Sequence, residues 1–236
     1  MFKIALTAGH YRYTSGKRCL KKLDKNETRE WVLNDRIADK IEKLLSSFEG
    51  YTLLRCDDTL GEKEIKVEDR VKAANDFGAD IYISIHHNAG IYGGKGGGIV
   101  AYTCKNCQAK SKEWQKDLYT SLIKETGLKG NRATPLASSN LYEVKKTKMP
   151  AVLLELGFMD SVADVPVILS EKYADACAKA ITDVIVNRAN LQHKAEEKKL
   201  YRVQVGVYSV KKNAENLANE LKAKGYSAII KEETEK

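Results

Sequence analysis

The sequence predicts an α/β protein: a twisted, mostly parallel sheet with helices on both faces, followed by a small C-terminal β-α-β unit. Three observations predict it. Short apolar runs of strand length alternate with stretches whose apolar residues recur at helical spacing. Alternation of that kind builds βαβ units, and hence parallel strands. A polar, charged break near residue 195 then separates off a shorter stretch with the same strand-helix-strand rhythm.

The elements follow in order. Phe2 to Thr7 reads as a strand that ends in Ala8-Gly9-His10. A helix is expected from about Glu27 to Ser46, with the stripe Leu33, Ile37, Ile41, Leu44. Thr52 to Cys56 is a short strand, and Val67, Val71, Ala74 mark a second helix. Asp80 to Ile85 is a strand ending in His86-His87-Asn88, and Ile99 to Thr103 is another, after a glycine-rich loop. The glycine run lacks the spacing of a phosphate cradle. Trp114, Leu118 and Leu122 mark a third helix, stopped by Gly127. Ala151 to Leu154 is apolar without interruption, as in a strand buried on both faces. Tyr173, Cys177, Ala180 and Val184 mark the last helix of this part. The organisation expected is residues 1–190 as one domain, 191–199 as a linker and 200–236 as the small unit. In that unit Tyr201, Val203, Val205 and Val207 alternate as in a strand, Ala214 to Leu221 is a helical stripe, and Ala228 to Ile230 is a second strand.

Composition narrows the class. Hydrophobic content of 43% and charged content of 31% over 236 residues are those of a globular protein. The net charge of +8 favours polyanionic surroundings. Two Trp and scattered Lys speak against a stacking platform for nucleic acid, so no nucleic-acid partner is expected. No run approaches the roughly 18 apolar residues that cross a membrane, and no membrane partner is expected. The N-terminus lacks the apolar region of a signal peptide, which predicts synthesis in the cytoplasm. The five Cys follow no disulfide pattern, and Cys104 and Cys107, a lone CxxC, read as ordinary loop thiols.

Chemistry gathers at strand ends. Ligands of α/β sheets bind at the carboxyl ends of the strands, where His10, the pair His86/His87 and Glu155 all fall. A lone His is more often a satisfied core or surface residue; three of the chain's four at strand ends are harder to dismiss. Glu30 shares the buried face of its helix with Leu33, Ile37 and Ile41, whereas Glu27 points with Trp31 and Asn34. Two histidines, one carboxylate and an open position form the donor set of catalytic zinc. Glu155, an acid at the mouth of an apolar strand, would be the proton shuttle that hydrolysis needs. Neighbours on a strand face opposite ways, so spacing alone does not choose between His86 and His87.

These residues resemble the zinc-dependent N-acetylmuramoyl-L-alanine amidases of the Amidase_3 family, from residue 1 to about 188. "LTAGH" resembles the first strand and first His ligand, and "EWVLNDRIA" the Glu motif, with Asn four residues after Glu30. "RVKAANDFGADIYISIHHNA" is similar to the R-x3-AN…SIH-x-NA segment, whose ligand is the His two before Asn; the resemblance thus implies His86. "MPAVLLELGFMDS" resembles the segment that carries the catalytic Glu, which implies Glu155. After His10 the chain departs from the family, with "YRYTSGKRC" replacing the usual acidic, glycine-rich continuation. Residues 200 to 230 resemble the first half of a SPOR domain, a small peptidoglycan-binding module. The resemblance implies Zn2+ held by His10, Glu30 and His86, and cleavage of the amide between N-acetylmuramic acid and L-Ala in bacterial peptidoglycan. The rivals are another zinc hydrolase of wall material, and a non-catalytic wall-binding protein. The enzyme would act on the wall after release, as a phage-type lysin or a mother-cell lytic enzyme does. The sequence leaves the oligomeric state open.

Overall fold

The computed structural model of the chain describes residues 1–195 and 201–233. The chain divides into two compact units, Met1–Lys194 and Ala195–Lys236. Part of the expected linker, and Leu200, lie outside the described residues.

The first unit is built on a six-stranded sheet. Its strands are β1 (Phe2–Ala8), β3 (Tyr51–Arg55), β4 (Ile81–Asn88), β5 (Ile99–Cys104), β6 (Leu136–Ser139) and β7 (Ala151–Phe158). They run side by side in the order β3-β1-β4-β7-β5-β6. Every adjacent pair is parallel except β5 with β7. The predicted mostly parallel sheet is therefore the one observed. A short antiparallel pair joins β2 (Phe48–Glu49) to β8 (Gln192–His193).

Helices cover both faces, because the central strands bury both of their sides. On one face lie α1 (Glu30–Leu45), α3 (Ala109–Thr126) and α6 (Glu171–Ala189), packed over Ile4, Leu6, Ile81, Ile83, Ile85, Val152 and Leu154. On the other lie α2 (Val67–Phe77) and α4 (Tyr142–Lys146), around Ala5, Tyr82, Ala151 and Leu153. The one-turn α5 (Val165–Ile168) follows β7. Gly127 ends α3 in a left-handed conformation, as its position in the sequence implies.

Three expectations need correction. Helix α1 starts at Glu30 rather than Glu27, because Asp24 accepts the N–H groups of Asn26 and Thr28 and folds the preceding loop. The N–H of Glu30 bonds instead to the carbonyl of Lys17. Strand β7 does not end at Leu154 but runs on to Phe158, so Glu155 lies within the strand.

The third correction concerns the C-terminal unit. Its helix, α7 (Lys211–Ala223), forms where the stripe predicts it. Residues 201–207 and 228–230 are not strands: no ladder pairs them among the described residues. Tyr201 and Val203 are 87% and 84% exposed. Among the described residues no other strand flanks them, and two short segments alone make at best a marginal sheet.

Candidate active site

The site lies where the central strands end. His10 follows β1 after Gly9 and holds φ at 67°, a left-handed value that costs energy for a residue with a Cβ. A clamp enforces it. Arg70, 4% exposed, donates to the carbonyls of Ala8 and His10, both at 2.7 Å, and to Oγ1 of Thr7 at 3.2 Å. This explains the arginine of the "RVKAAN" stretch. Gly9 is needed for a different reason: a Cβ there would collide with the imidazole of His86.

His86 and His87 point to opposite faces of β4. His86 shares the side of Tyr82 and Ser84, whereas His87 shares the side of Ile83 and Ile85, facing α1. His87 is buried, and its Nδ1 lies 2.8 Å from Oδ1 of Asn34. Asn34 also donates to the carbonyl of Gly9, at 3.1 Å. This asparagine, one helical turn after Glu30, thus ties α1 to β1 and β4 together. Burial pulls the pKa of His87 down to about 3, which keeps the ring neutral.

Glu30, at the N-terminus of α1, reaches over the sheet edge. Its Oε1 lies 3.1 Å from Nδ1 of His86 and accepts the backbone N–H of His87. Its Oε2 lies 3.2 Å from Nε2 of His10 and 3.7 Å from Nζ of Lys17. Burial opposes its charge, but His10 and His86 outweigh burial and hold the carboxyl well below the ordinary range. His86 shows the converse: burial lowers its pKa, yet Glu143 and Glu30 raise it to about 10.

One ligand atom each from His10, Glu30 and His86 falls within 4.8 Å of the others. Two imidazoles and a carboxylate suit a borderline metal ion such as Zn2+ and leave a coordination position open. Glu30 Oε2 is buried without an aligned hydrogen-bond partner, as a donor atom kept for an ion would be. The residues fit such a group.

Glu155 stands beside them. It is the register partner of His86 on the neighbouring strand. Its Oε2 is buried and unpartnered, and burial pushes its pKa up to about 7 against the opposing charge of His86. A carboxyl near neutrality can both take and give a proton.

Two residues of this neighbourhood were not anticipated. Lys17, from the loop after His10, brings a cation beside Glu30. Glu143, on α4, sits under His86. Neither lies on an apolar stripe, so periodicity gives no signal for them. The glycine-rich stretch is a loop, as expected: Asp160 accepts the N–H groups of Gly90, Ile91 and Tyr92, and Asp164 that of Gly98. Cys104 and Cys107 are free thiols.

The Amidase_3 family, described as N-acetylmuramoyl-L-alanine amidase, matches residues 4–187, and the SPOR domain family matches residues 181–236. A sporulation-specific N-acetylmuramoyl-L-alanine amidase of Bacillus subtilis is 30% identical over 206 residues, 87% of this chain and 77% of that protein. An endolysin of Bacillus phage SPP1 is 27% identical, over 80% of this chain and 67% of the phage protein. The crystal structure of an N-acetylmuramoyl-L-alanine amidase from Clostridium difficile 630 has the same fold. Its TM-score is 0.71 at 24% identity, over 80% of this chain and 97% of that one. Strand order, strand-end residues and a family match over most of the chain converge: it belongs to the Amidase_3 N-acetylmuramoyl-L-alanine amidases, hydrolases of peptidoglycan.

Proposed function

We propose that the chain cleaves the amide between the lactyl group of N-acetylmuramic acid and the L-Ala of the stem peptide, with Zn2+ held by His10, Glu30 and His86. The convergence of those three side chains beside Glu155 carries the reading. When bound, the ion polarises the lactyl carbonyl and lowers the pKa of water toward ~7.

The chain's own residues do the rest. Glu30 would offset part of the ion's charge, and the imidazoles of His10 and His86 would bind it through neutral nitrogen lone pairs. Glu155, as carboxylate, takes a proton from the attacking water. It then gives that proton to the nitrogen of the departing L-Ala, so the C–N bond breaks to a carboxylate and a free amine. Burial serves both halves by keeping the group near neutrality. The net charge of +8 suits an anionic wall. No helix among the described residues is long and apolar enough to cross a membrane.

Catalysis is assigned to residues 1–190 and wall binding to residues 200–236, joined through 191–199. The separate compact units and the SPOR match support that division. Digestion of purified wall, with and without a chelator, tests the function. Mass spectrometry should show stem peptides with a free L-Ala amine, and none after chelation. Products cut within the stem peptide, or deacetylated glycan alone, would replace this reading with another hydrolase.

A further inference from the structure

We propose that Glu143 is a positioning residue for the metal centre: its Oε2, 3.4 Å from Nε2 of His86, favours the tautomer protonated on Nε2 and so presents Nδ1 toward Glu30. The proposal rests on the metal reading above.

Three features of the fold lead to it. First, Tyr82, Ser84 and His86 alternate along β4 and project from one face. Glu143 lies across all three. Its Oε1 accepts from the hydroxyls of Tyr82 at 2.8 Å and Ser84 at 3.2 Å, while its Oε2 lies 3.4 Å from Nε2 of His86. Two tethers on one oxygen hold the other beside the imidazole. Second, the two nitrogens of His86 face different carboxylates: Nδ1 faces Glu30 and Nε2 faces Glu143. Glu143 does not belong to the group of three that could hold an ion. Third, the short helix that carries Glu143 is pinned. Asn75 donates to the carbonyl of Lys146 and accepts the N–H of Lys148, and Val144 packs in the core on that face. A buried carboxylate held this firmly beside a ligand histidine has the geometry of an outer partner that orients the ring and raises its basicity.

The test measures zinc affinity of the full chain by competition with a chromogenic chelator, together with the absorption spectrum of the Co2+-loaded protein. Loss of an outer-shell partner typically weakens metal binding ~10–100-fold, and Glu143→Leu should fall in that range with a shifted Co2+ spectrum. Glu143→Gln keeps an oxygen acceptor but not the charge, and should lose about threefold to tenfold, since charge-assisted hydrogen bonds are the stronger ones. Affinity and spectrum in Glu143→Gln matching wild type would overturn the proposal. So would equal losses in the two variants, which would mark lost packing rather than a lost acceptor. If Glu143→Leu does not fold, the isosteric Gln variant decides alone. A wild-type chain that binds no zinc would instead remove the metal reading itself.

Discussion

His86 and Glu155 are register partners on the parallel strands β4 and β7, on the same face of the sheet. Adjacent strands are spaced by about 4.8 Å, so the sheet itself sets how far the proton shuttle stands from the ligand histidine. No loop has to close to assemble the pair. Replacing Glu155 by Gln keeps the size and removes the proton transfer, which typically contributes ~10²–10⁴ in rate. Turnover on wall substrate should fall by that range while zinc content stays at the wild-type level. Unchanged turnover would make Glu155 a structural acid.

The burial of Glu155 has a signature in stability. Its pKa is the ordinary 4.5 in the unfolded chain and is pushed up to about 7 in the fold by burial. Between those values the folded, metal-free protein holds a proton that the unfolded chain has released. Its stability therefore falls as pH rises through that window and levels off above about pH 7. Glu155→Gln does not titrate. Its advantage over wild type should grow across the window by on the order of 3 kcal/mol. Urea unfolding of chelator-treated protein across that range measures it, and parallel profiles for the two proteins would rule out burial as the cause.

The two adjacent histidines should separate cleanly. His86→Ala removes a donor from the group of three and should abolish zinc binding. His87→Ala leaves that group intact but orphans Oδ1 of buried Asn34. An unsatisfied buried group costs ~1–3 kcal/mol, so this variant should unfold earlier in urea yet retain stoichiometric zinc. Equal metal loss in both variants would contradict the opposite-face geometry of β4.

What could be read from sequence follows from burial. The run Ala151 to Leu154 is apolar at every position, and Ile81 to Ile85 at all but Ser84, because both sides of a central strand are covered, and such runs are conspicuous. Strand β6, "LASS", lies at the sheet edge with Leu136 exposed, so its composition carries no such mark. The histidines and Glu155 stood out because each interrupts or ends an apolar run, and Glu30 because it continues a helical stripe. Glu143 has neither context. Its role depends on which side chains of β4 pass beneath a five-residue helix, which is a tertiary fact. The residues around Val203 misled in the other direction: their alternation is that of a strand, but alternation describes a surface to be covered and not the partner that covers it.

That unpartnered surface bears on the tail. Removing residues 196–236 leaves the first unit whole, since β8 and the bond from the N–H of Lys194 to the carbonyl of Ser47 are retained. The site residues all lie before the cut. The truncated chain should therefore fold with near wild-type stability and turn over soluble muropeptide within about twofold of wild type, an allowance below a 1 kcal/mol change in barrier. Retention on insoluble wall should drop several-fold in co-sedimentation, because the deleted part carries most of the SPOR match and with it the exposed apolar residues at 201–207. A truncated chain that fails to fold would make the tail part of the catalytic unit. Unchanged co-sedimentation would move wall binding entirely to residues 1–195, where the basic loop at Lys17 and Arg18 beside the site becomes the surface to test next.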